Sequence, residues 1–139
     1  MAIVMTNLAT LTVNAVDLSD HVREITIDMS SEDLDATAMG ALSKAHVQGL
    51  RDDKIEITFL QDYAAAKVDA TLAPLVGSST PFTVACKPSS VATSSSNPSY
   101  TLSSLLFEYT PIDASVGEIS MPKVTFLPAP ASSIVRAIS

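Results

Sequence analysis

From Glu24 to Met29 the apolar and polar positions of the chain alternate without a break. Ile25, Ile27 and Met29 share one side and Glu24, Thr26 and Asp28 the other, the period of two that marks a half-buried β-strand. KIEITFL repeats the pattern, with Ile55, Ile57 and Phe59 on one face and Lys54, Glu56 and Thr58 on the other. Weaker alternation in LATLTVNAV (8–16) predicts a first strand, after which NAVDLS turns the chain. PFTVACKP predicts a strand over 81–87, and YTLSSLLFEY one with Leu105, Phe107 and Tyr109 on a common face. In GEISMPKVTFLPA the apolar phase changes, from Ile119 and Met121 to Val124 and Phe126, which predicts a β-bulge at Pro122. The tail SSIVRAIS is expected to add a short edge strand or to dock on a neighbour.

One stretch, QDYAAAKVDATLAPLVG, has a helical period instead. Asp62 is a good N-cap, and Val68, Leu72 and Leu75 make one apolar stripe that packs the helix on the sheet. Gly77 is placed to end it, and Pro74 strains its last turn. The segment SSEDLDATAMGALSKAHVQGL has no convincing period, and Gly40 and Gly49 argue against a helix. It predicts a long exposed loop or hairpin arm, of a length that ordinarily serves a function. The serine-rich run over 89–99 reads as flexible. Six or seven strands and one helix make the chain mainly β, an antiparallel β-sandwich or half-barrel with one flanking α-helix at about 62–76 and a long loop at about 30–50. The whole of 1–139 is expected to be one domain.

Composition narrows the function more than the fold. A net charge of −7 disfavours sequence reading of nucleic acid, though not a surface that DNA passes without sticking. Aromatics make up 5% with no Trp, which disfavours a stacked-aromatic binding groove. The chain holds one cysteine, so no internal disulfide forms, and Cys86 in its apolar run reads as a buried structural thiol. MAIVMTNLATLTV lacks a basic leader, and no apolar run approaches the roughly 20 residues of a membrane span, so the chain is expected in the cytosol when made.

Chemistry is hard to find. His21 in DLSDHVRE reads as part of a solvated turn, and His46 as a surface or interface residue. SEDLD lacks the glycine and closing glutamate of a calcium loop, the four glycines form no phosphate cradle, and no serine sits in a nucleophile elbow. No metal, cofactor or catalytic residue is expected, and the chain does not read as an enzyme.

The order of motifs carries more. NAVDLSDHV (14–22), DATAMG (35–40), QGLRD (48–52), IEITFLQDYAAAKVDATLAPLVG (55–77), NPSY (97–100), SVGEIS (115–120) and a VTF strand follow one another along most of the chain. In that order they resemble the major tail tube proteins, and related small tail proteins, of long-tailed, siphovirus-type phages that infect actinobacteria. The resemblance implies a homohexameric ring that stacks into a hollow tube in the virion tail, assembled in the host cytoplasm. It implies tape measure, tail terminator and distal tail proteins as partners, and phage DNA passing through the lumen without specific binding. On this resemblance Glu24, Asp28 and Glu56 are candidates for the lumen. Asp33, Asp35, Met39, Lys44 and His46 are candidates for a ring-stacking arm over 30–50, and 128–139 for a further contact. Alternatives are a capsid decoration or head–tail joining protein, or a small β-sandwich module that binds carbohydrate or a cell surface.

Overall fold

The computed structural model describes residues 9–139. Leu8 and most of the stretch read for a leader lie outside the described residues. Ten strands form among those described: β1 (Thr10–Val13), β2 (Val16–Asp17), β3 (Val22–Asp28), β4 (Ser31–Asp35), β5 (His46–Arg51), β6 (Lys54–Phe59), β7 (Phe82–Lys87), β8 (Ser99–Leu105), β9 (Lys123–Pro128) and β10 (Val135–Ala137). Eight of them make one sheet in the order β2-β1-β7-β8-β9-β6-β3, with β10 also on β8, and every strand pairing is antiparallel. The chain is therefore mainly β, as its alternation predicts.

The sheet folds over at β8. The first part of β8 pairs with β10, from Ser99↔Ala137 to Thr101↔Val135, while its last residues pair with β9 at Ser104↔Pro128 and Leu105↔Leu127. This narrow junction lets β1, β7 and β8 face β9, β6 and β3 across one core. Leu11, Val13, Val84 and Leu102 come from the first group, and Ile55, Ile57, Phe59, Val124 and Phe126 from the second, all buried. Phe82 meets Phe126 edge to face, with centroids 5.9 Å apart at 78°. Such aromatic pairs add to the burial of their area. The result is a half-barrel in which, among the described residues, the two-residue β2, the seven-residue β3 and the three-residue β10 each pair on one side only. Asn14 and Ala15, both at positive φ, make the tight turn that opens β2.

The helix is shorter than its sequence promises. Only Val68–Leu72 is α-helical (α1), followed by a 3-10 turn over Ala73–Leu75. Asp62 does not cap it: its carboxylate accepts from the Ala64 amide at 2.9 Å and Ala66 adopts φ of 60°, so the chain turns before Lys67. Pro74, with no amide hydrogen, coincides with the tightening to 3-10 geometry. Val68, Leu72 and Leu75 are buried in the core. Gly77, at φ of 77°, ends the segment and donates to the Leu106 carbonyl.

Three strand details differ from expectation. In and just after β8 the buried positions are Leu102, Ser104 and Leu106, and Phe107 is exposed. Ser104 fits the core because its hydroxyl donates to the Leu127 carbonyl at 2.8 Å. Strand β9 begins at Lys123, so Ile119 and Met121 precede it in a loop and no bulge forms at Pro122. The main-sheet bulge lies in β3 instead, between Val22 and Glu24. The serine-rich run is also tied down: buried Asn97 donates to the Val91 and Ser89 carbonyls and accepts from the Ser89 amide.

Candidate functional site

Glu24, Asp28 and Glu56 lie on one outward face, built by β3, β6 and β9. Pairing places Glu24 opposite Thr58, Thr26 opposite Glu56 and Asp28 opposite Lys54, and on the far side Glu56 opposite Thr125 and Thr58 opposite Lys123. Inward positions of these strands carry Ile25, Ile27, Ile55, Ile57, Val124 and Phe126, so the period of two forces the charged set outward. Glu56 is the middle of an ion triad: Lys54 Nζ is 3.1 Å from its Oε1, and Lys123 Nζ is 3.2 Å from its Oε2. These two ammonium groups, Lys54 first, hold the Glu56 carboxyl below the usual carboxylate range. The outward positions of β7 and β8 include Thr83, Ala85, Thr101 and Ser103, which are small and uncharged, with the single charge of Lys87 at the end of β7. The two outer faces of the half-barrel thus differ in chemistry.

The segment 30–50 is a β-hairpin rather than a structureless loop. Strands β4 and β5 pair from Ser31↔Arg51 to Asp35↔His46 in a two-stranded sheet of their own, almost entirely exposed. A bulge between Ser31 and Asp33 bends it, and Gly49 accommodates the bend, since a Cβ there would come within 2.6 Å of the Glu32 Cβ. Asp33 Oδ1 lies 2.7 Å from His46 Nδ1 across the hairpin. The Thr37 hydroxyl and amide hold the Asp35 carboxyl below its ordinary range. At the tip Met39 and Leu42 are fully exposed, with Lys44 exposed beside them.

At the hairpin's root sits a residue that sequence reasoning passed over. Asp53 has no exposed surface, yet its carboxylate accepts from the Arg51 guanidinium at 2.7 and 3.2 Å, the Ser30 amide at 3.2 Å and the Ile134 amide at 2.8 Å. It binds the hairpin to the segment that leads into β10. Two adjacent aspartates in RDDK give no sign of which one is buried. The contacts of His21, which reads in the sequence as part of a solvated turn, were hidden for a similar reason. Instead of standing free in a turn, its ring lies between Asp20 at 2.7 Å and Asp62 at 2.8 Å, the latter 41 residues away. Lys123 completes the triad from a strand with no spacing relation to Lys54.

A groove of about 890 Å³ opens between the β3 edge and the end of β7, lined by Val22, Arg23, Ile25, Cys86, Pro88 and Tyr100 among others. Burial pushes the Cys86 thiol up to about 12, far from the reactive thiolate range. Among the described residues no group of three or more His, Cys, Asp or Glu side chains could hold a metal ion. Among them, too, no helix is long and apolar enough to cross a membrane.

No protein-family model matches the chain, and no curated protein sequence matches it significantly. Its fold is nonetheless shared. The sheath–tube complex of the PVC extracellular contractile injection system, in its extended state, contains a chain with a TM-score of 0.68 and 8% identity, covering 99% of this chain and 93% of that one. The tube-terminating cap of the anti-feeding prophage contains another, with TM-score 0.68, 12% identity, and coverage of 99% and 93%. The virion of a native gene transfer agent contains a third, with TM-score 0.66, 13% identity, and coverage of 91% and 95%. At such identities the likeness establishes the fold: the half-barrel, nearly end to end, is one also built by chains of these three assemblies.

Proposed function

We propose that this chain is a structural virion protein whose copies form homohexameric rings that stack into a phage tail tube, the conduit for DNA ejection. The observation that carries the reading is the fold, shared over 99% of the chain with a component of a sheath–tube complex. Three features of the chain support it. The β3 edge is seven residues long and pairs on one side only among the described residues, a ready template for a strand of the next copy. Beside it lies the charged face with Glu24, Asp28 and Glu56, which would line the lumen and keep DNA mobile. The exposed hairpin, with Asp33, Asp35, Met39, Lys44 and His46, would reach the adjacent ring, and 128–139 would add a contact. All of 1–139 would act as a single domain, without catalysis or cofactor. The order of sequence motifs narrows the source to a long-tailed, siphovirus-type phage of actinobacteria. Partners would be further copies, the tape measure, tail terminator and distal tail proteins, in the virion tail after assembly in the host cytoplasm.

A second reading has its own support. A chain in the structure of the PVC sheath/tube terminator, also in the extended state, has a TM-score of 0.70 at 9% identity, so the same fold occurs in a tube-terminator assembly. A carbohydrate-binding module is less well supported, because Tyr100 is the single aromatic among the described residues that line the groove. Negative-stain electron microscopy of the purified protein separates these readings. Open tubes of indefinite length are the expected result, single rings would favour the terminator, and discrete monomers at every concentration would sink both.

A further inference from the structure

On the charged face, three carboxylates meet two lysines, and both lysines converge on one carboxylate. Glu56 offers Oε1 to Lys54 and Oε2 to Lys123, so each oxygen is matched to a cation. Asp28 stands directly opposite Lys54 on the neighbouring strand, and Glu24 opposite Thr58. Glu56 is the least exposed of the triad, its side chain 23% accessible against 42% for Lys54 and 63% for Lys123. The lysines therefore stand outermost, where a passing polyanion would meet them before it met Glu56. Without that carboxylate the face would present two ammonium groups from adjacent strands, free to meet phosphates, and its excess of negative charge would vanish.

We propose that Glu56 is the residue that keeps this face from binding duplex DNA, by occupying both lysines at once. Its role is specific: Glu24 and Asp28 supply repulsion, whereas Glu56 occupies the cations that would otherwise cancel it. The inference rests on the lumenal reading of the β3–β6–β9 face, but the shielding itself belongs to the single chain and can be tested there. The paired charge of the lysines also offsets repulsion between the carboxylates on this face.

The test is E56Q, which keeps side-chain size on an outward strand position, compared with wild type and with the triple variant E56Q/K54Q/K123Q. Binding of a short fluorescent duplex is followed by anisotropy, for unassembled protein and for assembled tubes, with thermal melts to establish folding. At about 50 mM salt E56Q should bind DNA more tightly than wild type, and two freed phosphate contacts should cost roughly tenfold in affinity between about 50 and 200 mM. The triple variant should return to wild-type behaviour. If folded, unassembled E56Q binds DNA no better than wild type at low salt, the shielding role is overturned. If E56Q gains affinity as single chains but not as tubes that short duplexes can enter, shielding stands and the lumenal reading fails.

Discussion

A single imidazole fastens the turn before β3 to the segment before α1. His21 holds Asp20 through Nδ1 and Asp62 through Nε2, and Lys67 lies 3.7 Å from Asp20. With a carboxylate on each nitrogen the doubly protonated ring is favoured. The Asp20 bond first, then the Asp62 bond, raise the His21 pKa above 6.5 against partial desolvation. Asp20 is lowered mainly by the His21 bond, and Asp62 by the Ala64 amide and then His21. The signs fix a window. A raised histidine stabilises fully below its unfolded value of 6.5 and loses that contribution as pH rises through the folded value. The lowered aspartates contribute above 3.8 and lose their effect as pH falls through their folded values. Urea denaturation of wild type and H21N should therefore show a larger stability gap near pH 5.5 than near pH 8.5. An equal gap at the two would mean that the carboxylates do not hold the ring. Nothing in the local sequence announces this contact, because Asp62 comes from 41 positions downstream and reads as a helix cap.

Elements whose phase is simple were legible, and those in which the chain carries two phases were not. β6 and the Glu24–Asp28 part of β3 alternate one apolar with one polar residue, and β7 puts Phe82, Val84 and Cys86 on one side, so the core face is unambiguous. Around β8 the run LSSLLF offers both phases, and the buried Ser104, satisfied by a carbonyl from β9, sits where a sequence reader places a polar exterior. The arm over 30–50 was legible as a loop or a hairpin but not as which of the two, since neither face of it is buried and no alternation is required. Its anchorage was invisible, because Asp53 draws its donors from residues 30, 51 and 134. Asp53→Ala removes a charged acceptor from buried Ile134 N and from the hairpin root. The expected cost is roughly 3 kcal/mol in chemical denaturation, in the range of lost buried, charge-assisted bonds. Hydrogen exchange should quicken at Ile134 and Ser30 before it does in β6 and β7. A change confined to the hairpin, with Ile134 still protected, would show that the two segments are not coupled through Asp53.

At the scale of the molecule, the proposed function would divide the labour of assembly between the half-barrel and the hairpin. Among the described residues the β3 and β2 edges lie at opposite ends of one sheet, so strand addition of β3 to the β2 edge of the next copy would join unlike surfaces and be heterologous. Repeated heterologous contacts close into a ring when the rotation between copies permits it. The hairpin tip, with Met39 and Leu42 bare to solvent, takes no part in the core. Removing it should leave the fold intact and ring closure unaffected, while stacking is lost. The variant to make joins Asp35 to His46, a directly opposed pair, through an Asn-Gly turn in place of residues 36–45. Wild-type protein should give tubes in negative stain; the trimmed chain should give ring-sized particles by light scattering, with a thermal midpoint close to wild type. Mixed in small proportion with wild type, trimmed chains should shorten tubes, because each ring that includes one offers an incomplete stacking surface. Full-length tubes from the trimmed chain would remove the hairpin from stacking. Folded monomers would instead place the hairpin in ring closure and shift the burden of stacking to the C-terminal segment.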